Sequence, residues 1–286
     1  MSGAGAGGLH LTQFGRWWRV TRPWPPALRP YLHSYAGYWE TGRPMPYQAR
    51  LVPTGRAVLV LNLREPFAQV RRTREEGSGG GVVGSLIAGL EDGPRTVAHP
   101  GGQEAIRLEL TPVGAYRLFA VPMRELTNRV VDLADVLGPG TRVLLERMEA
   151  TDDWATRFDL LDAALLARLE RGPEPAPEVR HAWRLLTGAA GAMPIARIAS
   201  EVGWSQGYLV RRFTQQVGLA PKSAARVLRF HRAVGLLALQ GAEPSAVSAA
   251  CGFYDQAHLN REFRALAETT PGQVADARWM EGALAR

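Results

Sequence analysis

Residues 195–221, IARIASEVGWSQGYLVRRFTQQVGLAP, decide the fold of the last third of the chain, because they recur in altered form as residues 246–271, AVSAACGFYDQAHLNREFRALAETTP. The pairs that match are Gly203 with Gly252, Trp204 with Phe253, Leu209 with Leu259, Arg211 with Arg261, Phe213 with Phe263 and Pro221 with Pro271. The offset is 49 residues for the first two pairs and 50 for the others. The extra residue falls in a turn, where insertions are tolerated best. The repeat predicts two copies of one helical unit.

The first copy has the pattern of a helix-turn-helix over about residues 195–217. Its first helix carries an apolar face, Gly203 suits a tight turn with positive φ, and Ser205 can cap the second helix. The apolar residues are Ile195, Ile198, Ala199 and Val202 in the first helix and Leu209, Phe213 and Val217 in the second. Two such stripes predict helices that pack against each other.

The second copy, about residues 245–267, repeats this pattern with Gly252 at the turn and Asp255 as the cap. Its predicted inward residues are Val247, Ala250, Cys251, Leu259, Phe263 and Leu266. We expect the small residues Ala199 and Ala250 to let the two helices of each unit approach closely.

A spacer helix is predicted between the copies, over residues 222–239. Val227, Phe230, Val234 and Leu237 form its apolar stripe, and Gly241 ends it. A helix of about 18 residues spans about 27 Å. Such a spacer can set two recognition helices roughly one DNA turn, about 34 Å, apart.

The outer face of each second helix carries the candidate DNA-binding residues. These are Ser205, Gln206, Gly207, Val210, Arg211, Arg212, Lys222, Gln256, Ala257, His258, Asn260, Arg261 and Arg264. Arg211 and Arg261 hold equivalent outward positions and suit bidentate contact with guanine, while Asn260 and Gln206 suit adenine or phosphate. Arg212, Arg264 and Lys222 fit phosphate contacts or solvated surface. His258 either faces DNA or packs against the preceding helix.

The charge distribution also favours a polyanionic partner. The net charge is +7, and residues 179–286 hold 13 basic and 7 acidic residues, so six of the seven charges lie there. Nucleic acid is the first candidate partner and an anionic membrane the second. Cys251 is the only cysteine, which excludes an intramolecular disulfide and a cysteine-rich metal site. The absence of a signal-peptide pattern and of a long apolar run predicts a cytoplasmic protein without membrane contact.

The N-terminal part predicts an α+β protein. Strands are expected in residues 51–63, above all 57–63, and in 82–87 and 105–110, with GSGGG at 77–81 as a loop or hairpin tip. Helices are expected over 142–150 and 152–170. Prolines at 173, 175 and 177 interrupt the helical pattern. We therefore predict an effector-binding or dimerisation domain (1–170), a Pro-rich linker (171–178) and an all-α DNA-binding domain (179–286).

Residues 180–279 resemble the DNA-binding domain of the AraC-type transcription regulators. The matching residues are Ile198, Ala199, Gly203, Trp204, Ser205, Tyr208, Leu209, Arg211, Arg212, Phe213, Gly218, Pro221, Arg229, Ala233, Leu236, Leu237, Cys251, Gly252, Phe253, Asp255, Gln256, His258, Arg261, Phe263, Thr270 and Pro271. Ala224 stands at a position where these regulators often have Tyr. Gly207 and Val210 leave the DNA-facing surface of the first copy with few side chains that could contact bases. The resemblance implies a regulator, activator or repressor, that reads two successive major-groove segments of double-stranded DNA and contacts RNA polymerase.

Residues 28–170 look like the N-terminal domain that accompanies this DNA-binding domain in related regulators. The resembling stretches lie in residues 51–63 and 99–135, including HPGGQ and LTPVGAYRLFAVP. The resemblance implies a small barrel or sandwich, cupin-like in character, with trailing helices. A small-molecule effector and a homodimer are the partners that it suggests.

Two other functions stay open. A cupin-like metal enzyme fused to a DNA-binding domain would use His33 and His99, yet no His-x-His pair supports it, and we expect neither a cofactor nor catalysis. An interaction module would bind a protein without specific DNA contact. The aromatic residues Trp17, Trp18, Trp24, Tyr31, Tyr35, Tyr38 and Trp39 suit a ligand pocket, a dimer seam or, as we favour, a core.

Overall fold

The computed structural model describes residues 8–12, 15–41, 47–64, 68–72 and 81–274, which form a β-rich N-terminal part and a helical C-terminal part. The strands are β1 (Gly8–Thr12), β2 (Gly15–Val20), β3 (Leu32–Thr41), β4 (Tyr47–Leu51), β5 (Ala57–Asn62), β6 (Ala68–Arg72), β7 (Gly81–Val83), β8 (Leu86–Ala88), β9 (Arg95–His99), β10 (Glu104–Leu110) and β11 (Val130–Asp132). They form two antiparallel sheets, ordered β1-β2-β3-β10-β5-β8-β11 and β4-β9-β6-β7.

The α-helices are α1 (Pro112–Phe119), α2 (Leu133–Leu137), α3 (Gly140–Glu149), α4 (Trp154–Arg171), α5 (Pro177–Gly188), α6 (Ile195–Glu201), α7 (Gln206–Val217), α8 (Pro221–Gln240), α9 (Pro244–Ala250), α10 (Gln256–Ala267) and α11 (Pro271–Val274). Helix α1 precedes β11, and the other α-helices follow the last strand along the chain. Short 3-10 segments lie at Pro26–Leu28 and Met123–Glu125. Among the described residues, none of the helices combines the length and apolar character that crossing a bilayer requires.

The α+β prediction is confirmed, with one correction in the strands. The predicted strands at 57–63 and 105–110 correspond to β5 and β10. The single strand predicted over 82–87 is wrong, because β7 belongs to the four-stranded sheet and β8 to the seven-stranded one. Gly84 and Ser85 break the run, and the Ser85 hydroxyl accepts a hydrogen bond from the Asn62 amide at 3.0 Å. Residues 77–80 of the predicted hairpin tip lie outside the described residues.

One face of the seven-stranded sheet forms the main core. Along β5, Ala57, Leu59 and Leu61 are buried while the alternate residues are half-buried, as a period of two requires. Leu59 pairs with Leu108 of β10, which faces the same way. Helices α1 and α4 cover this face, with Leu118 and Phe158 among the residues of the core cluster.

Helix α4 is held on the sheet by stacked aromatic rings. The Asp153 carboxylate caps the helix by accepting from the Thr156 amide at 2.8 Å. The Trp154 ring then stacks on Trp39 at 5.3 Å between centroids, and Trp39 stacks on Trp18 at 6.0 Å. Tyr35 meets Phe158 edge-on at 4.8 Å, and Trp24 lies 6.2 Å from Tyr35. These contacts support the core interpretation of the aromatic residues; the side chain of Trp17 lies outside the described part.

A buried ion pair fixes the start of α4 to β10. The guanidinium of Arg157 lies 2.5 Å from Glu104 Oε1, and its Nε donates to the Met148 carbonyl at 3.1 Å. Its carbon also lies 4.7 Å from the Trp154 ring centroid. Arg64 Nε lies 2.6 Å from the other oxygen of Glu104, so loss of Arg157 would leave this carboxylate paired, whereas loss of Glu104 would leave the buried Arg157 without its nearest carboxylate.

The Pro-rich segment is short and anchored at both ends. Helix α4 ends at Arg171 and α5 begins at Pro177, and between them Glu174 pairs with Arg117 of α1. The Ala176 amide donates to the buried Gln216 side chain of α7 at 2.9 Å. Helix α7 also packs against α1 and Met123–Glu125. The first helix-turn-helix unit, formed by α6 and α7, therefore shares one continuous core with the sheet. The division at 171–178 stays a prediction.

The second helix-turn-helix unit, formed by α9 and α10, packs in a separate core, and this core includes one residue from the N-terminal part. Val52, in the loop between β4 and β5, is 7% exposed and packs in the cluster that contains Phe230 and Val274. Nearby, the Arg50 guanidinium lies 3.4 Å from the Glu268 carboxylate. The β-rich part therefore touches both helical units.

Substitution of Gly37 tests how closely α4 approaches β3. A Cβ at Gly37 would lie 2.1 Å from the Trp154 ring, so we expect Gly37→Ala to lower the free energy of unfolding by about 1–3 kcal/mol. Urea unfolding followed by tryptophan fluorescence measures this. Gly84→Ala is the matched control, since a Cβ there meets no described atom within 4 Å. Equal stability of the two variants would contradict the packing.

Candidate nucleic-acid interface

The first unit forms the predicted turn. Gly203 adopts φ 72°, between the end of α6 and the start of α7, where a side chain would be strained. The Trp204 amide donates to the Ala199 carbonyl at 2.9 Å, and the Ser205 hydroxyl accepts from the Tyr208 amide at 3.3 Å. The turn and the cap fix the angle at which α7 leaves α6.

The second unit repeats this geometry. Gly252 adopts φ 69°, and the Phe253 amide donates to the Ser248 carbonyl at 3.0 Å. The Asp255 carboxylate caps α10 by accepting from the His258 amide at 2.6 Å. One prediction is wrong: Ala250 is exposed, and the buried Ser248 takes the place of Ala199. The offset of 49 residues before the turn makes Ser248 the equivalent position, and its hydroxyl is small enough for the close contact.

The spacer helix joins the two units through a buried stripe. Val227, Phe230, Val234 and Leu237 are all buried, as predicted, and Phe230 meets Phe263 of α10 at 4.9 Å. Helix α8 ends at Gly241, which adopts φ 61°. Its 20 residues give a length of about 30 Å at about 1.5 Å per residue.

Most of the candidate DNA-binding side chains lie on the surface. The exposed ones are Ser205, Gln206, Gly207, Val210, Arg211, Lys222, Gln256, Ala257, Arg261 and Arg264, and the half-buried ones are Arg212, His258 and Asn260. In both units the equivalent arginines, Arg211 and Arg261, are exposed. Their helices keep Leu209, Phe213, Leu259 and Phe263 in the core. Each second helix thus has one buried face and one open face.

Arg211 is held by an aromatic neighbour that the candidate set did not include. Its guanidinium carbon lies 4.9 Å from the Tyr208 ring centroid, and Trp204 meets the same ring edge-on at 4.7 Å. A cation over an aromatic face is favoured and restricts the arginine rotamers. The signal in the sequence is the spacing of three between Tyr208 and Arg211, which places both on one side of a helix.

His258 supports the turn of the second unit. Its Nδ1 accepts from the Tyr254 amide at 3.3 Å, its ring meets Phe253 at 5.4 Å, and its Nε2 lies 3.9 Å from Glu262. Glu262 also pairs with Arg226 of α8 at 2.5 Å. These contacts favour the packing interpretation of His258. Tyr254, which sequence reasoning did not single out, is 93% exposed beside it.

Two other basic side chains differ in their surroundings. Arg212 is half-buried, and its Nη1 donates to the Gln215 side chain at 2.8 Å. Lys222 is exposed in the first turn of α8. A lysine in such a position can reach a phosphate without breaking a contact within the chain.

The described histidines of the sheet region belong to no metal-binding cluster. His99 is buried, its Nδ1 accepts from the Gly101 amide at 3.0 Å, and burial lowers its pKa below the ordinary value. Within the described ranges, no group of three or more His, Cys, Asp or Glu side chains is placed to hold a metal ion.

Comparison with known families matches both parts of the chain. Residues 198–277 match a helix-turn-helix domain, and residues 21–132 match a domain of unknown function, DUF6597. A similar curated protein is the uncharacterized HTH-type transcriptional regulator YbfI of Bacillus subtilis (strain 168), 34% identical over 88 residues. That alignment covers 30% of this chain and 32% of YbfI, so the chain spans about a third of the length of the relative that it matches.

Comparison with solved structures gives matches that include three bacterial proteins. The C-terminal domain of AraT, a response regulator from Geobacillus stearothermophilus, is 19% identical over 36% of this chain and 87% of its own, with a TM-score of 0.34. An AraC-type regulator from Chromobacterium violaceum is 27% identical over 37% and 92%, with a TM-score of 0.33. ToxT from Vibrio cholerae, solved with a bound unsaturated fatty acid, is 10% identical over 89% and 97%, with a TM-score of 0.49.

The cap of α10 is testable without DNA. We expect Asp255→Ala to lower the free energy of unfolding by about 1 kcal/mol, because the His258 amide loses its acceptor. Asp255→Asn, which keeps an acceptor oxygen, should retain most of the stability. Urea unfolding compares the two variants. Equal losses would show that charge rather than capping matters at this position.

The single thiol should be protected in the folded protein. Cys251 is buried behind α10, and burial raises the pKa of its thiol, which reduces the thiolate fraction at neutral pH. We expect slow reaction with a chromogenic disulfide reagent in buffer and complete reaction in concentrated guanidinium chloride. Rapid labelling of the native protein would contradict the burial of this helix face.

Proposed function

We propose that this chain, whose residues 198–277 match a helix-turn-helix domain, is a transcription regulator of the AraC type that reads two successive major-groove segments of DNA. The observation that carries the proposal is the pairing of two complete units with equivalent exposed arginines, Arg211 and Arg261, around one helix. A single unit would also suit protein packing. Two units with matched basic positions favour a repeated, charged ligand.

Helices α7 and α10 act as the recognition helices in this proposal. In a helix-turn-helix the second helix enters the major groove with its N-terminal residues nearest the bases. Gln206, Arg211, Asn260 and Arg261 lie in the first two turns of these helices. The two arginines suit guanine, while Asn260 suits adenine.

The length of α8 supports simultaneous binding by both units. The helix is about 30 Å long, and successive major-groove segments on one face of DNA lie about 34 Å apart. The buried contact between Phe230 and Phe263 ties the second unit to this helix. Once one of two joined units has bound DNA, binding of the other is effectively intramolecular. The translational and rotational entropy of association is therefore lost only once.

Phosphate contacts would supply much of the affinity. Six of the seven net positive charges fall in residues 179–286, and Arg212, Lys222 and Arg264 lie on or beside the recognition helices. Contacts of this kind release counterions, so binding should weaken steeply as salt rises. They position the protein without reading the sequence.

The N-terminal part would act on the first unit in particular. The contacts of α7 with α1 and Met123–Glu125 offer a direct mechanical connection from the sheet to a recognition helix. We propose that a small molecule bound to the β-rich part changes DNA affinity through this contact. Association with RNA polymerase and with a second copy of the chain stay predictions from the resemblance.

The two other functions lack a supporting observation. A metal enzyme needs a ligand cluster, and the described residues offer none. A module that binds only protein does not require exposed arginines at equivalent positions of two repeated units. Binding that ignores both salt and DNA sequence would support that module against our proposal.

Selection of preferred sites from random duplex DNA tests the proposal. We expect two short blocks of preferred bases about one helical turn apart, with Arg211→Ala degrading one block and Arg261→Ala the other. Each variant should lose about 1–3 kcal/mol on the selected site, because a bidentate base contact is removed. Arg142→Ala, which removes an equally charged and exposed side chain from α3, is the control.

The outcomes separate the roles of the two arginines. If Arg261→Ala weakens binding equally on selected and random DNA, Arg261 contacts phosphate instead of a base. If the full chain selects nothing but residues 179–286 do, the N-terminal part inhibits the units. Failure of both proteins to select a site would overturn the proposed function.

A further inference from the structure

Gly207 lies on the open face of α7 without a structural reason to be glycine. It is the second residue of the helix, it does not have positive φ, and a Cβ there would meet no described atom within 4 Å. By contrast, Gly218 at the end of α7 adopts φ 103° and its Cβ would lie 2.9 Å from Thr127. Because glycine weakens a helix relative to alanine, its presence at position 207 costs stability.

Val210 lies three residues further on, on the same side of the helix. It is 37% exposed, while its neighbour Leu209 faces the core and is completely buried. Residues three apart on a helix are surface neighbours. The two methyl groups of Val210 therefore lie next to the space that is left by the missing side chain of Gly207. Arg211 stands directly beside Val210, with its guanidinium over Tyr208.

The equivalent face of the second unit has a different character. By the offset of 50, Gly207 corresponds to Ala257 and Val210 to Asn260, while Arg211 corresponds to Arg261. The second unit therefore offers an amide where the first offers methyl groups. The two faces are suited to different base pairs.

We propose that α7 reads its half-site by close approach at Gly207 and by contact of Val210 with a thymine methyl, beside a base bound by Arg211. The inference rests on the proposed function and deepens it, since it names the base chemistry of one half-site. The thymine C5-methyl is the apolar group that a base pair presents in the major groove, and aliphatic side chains contact it. The missing side chain at Gly207 lets the start of α7 lie deeper in the groove.

Removal of single methyl groups from the DNA tests the contact of Val210. In the selected site, each thymine of the first half-site is replaced in turn by deoxyuridine, which keeps base pairing and removes the methyl. We expect one replacement to weaken binding of the unaltered protein about fourfold, the effect of one buried methyl group. Val210→Ala should bind more weakly and lose its sensitivity to that replacement. Val143→Ala, an exposed valine of α3, should keep it.

A second variant tests the close approach. Gly207→Ala should unfold at the same or a higher temperature, because alanine favours the helix, yet bind the selected site about tenfold more weakly through overpacking. Gly235→Ala is the matched control: Gly235 lies within α8, and a Cβ there also meets no described atom within 4 Å. It should keep the affinity.

The results distinguish this inference from the proposed function. A selected first half-site without thymine, equal deoxyuridine sensitivity of Val210→Ala and the unaltered protein, or unchanged affinity of Gly207→Ala would each overturn the inference. In all three cases a selected site exists, so the proposed function stands. Absence of any selected site with the full chain and with residues 179–286 overturns the proposed function itself.

Discussion

The packing of α7 on the N-terminal part is the constraint on which the arrangement depends. Phe213 and Val217 are completely buried, and the side chain of Gln216 accepts from the Ala176 amide. This side of the helix lies against α1 and Met123–Glu125, so only the opposite side is open. The helix is thus both a part of the main core and the support for Gly207, Val210 and Arg211. Its position cannot change without disturbing the core, whose close packing resists small displacements.

The second unit is attached to the N-terminal part less firmly than the first. Its core is separate, and the N-terminal part reaches it through Val52 and through the pair of Arg50 with Glu268. The Arg50 side chain is exposed, and an ion pair of this type contributes little, about 0–1 kcal/mol. Val52 is therefore the stronger of the two contacts. The first unit is bound tightly to the sheet region and the second loosely, although their sequences suggest equal partners.

Local features of the helical units could be predicted from the sequence. Glycine at the two turns, the Ser205 and Asp255 caps and the apolar stripe of α8 each depend on residues within a few positions of one another. The same local reasoning failed for Ala250, because the helix register before the turn differs by one residue from the register after it. It failed for residues 82–87 because which sheet a strand joins depends on distant partners.

Features that depend on contacts between residues far apart in the sequence could not be predicted in this way. The shared core of α7 and the sheet, and the insertion of Val52 into the second unit, join segments separated by more than eighty residues. Periodicity shows which face of a helix is buried but not which element buries it. The aromatic residues illustrate this: the sequence left a pocket, a seam or a core open, and the stack of Trp18, Trp39 and Trp154 required the position of α4.

The asymmetry between the units bears on how a signal could pass from the β-rich part to DNA. A regulator with two joined helix-turn-helix units responds to a ligand only if the ligand favours one arrangement of the units over another. Here the five residues between Arg171 and Pro177 are anchored at both ends, so the first unit keeps its place relative to the sheets. The loop that carries Val52 joins β4 to β5, one strand from each sheet. A ligand that changed the relation of the two sheets would therefore act on the first unit through the contact of α7 with α1, and on the second unit through Val52.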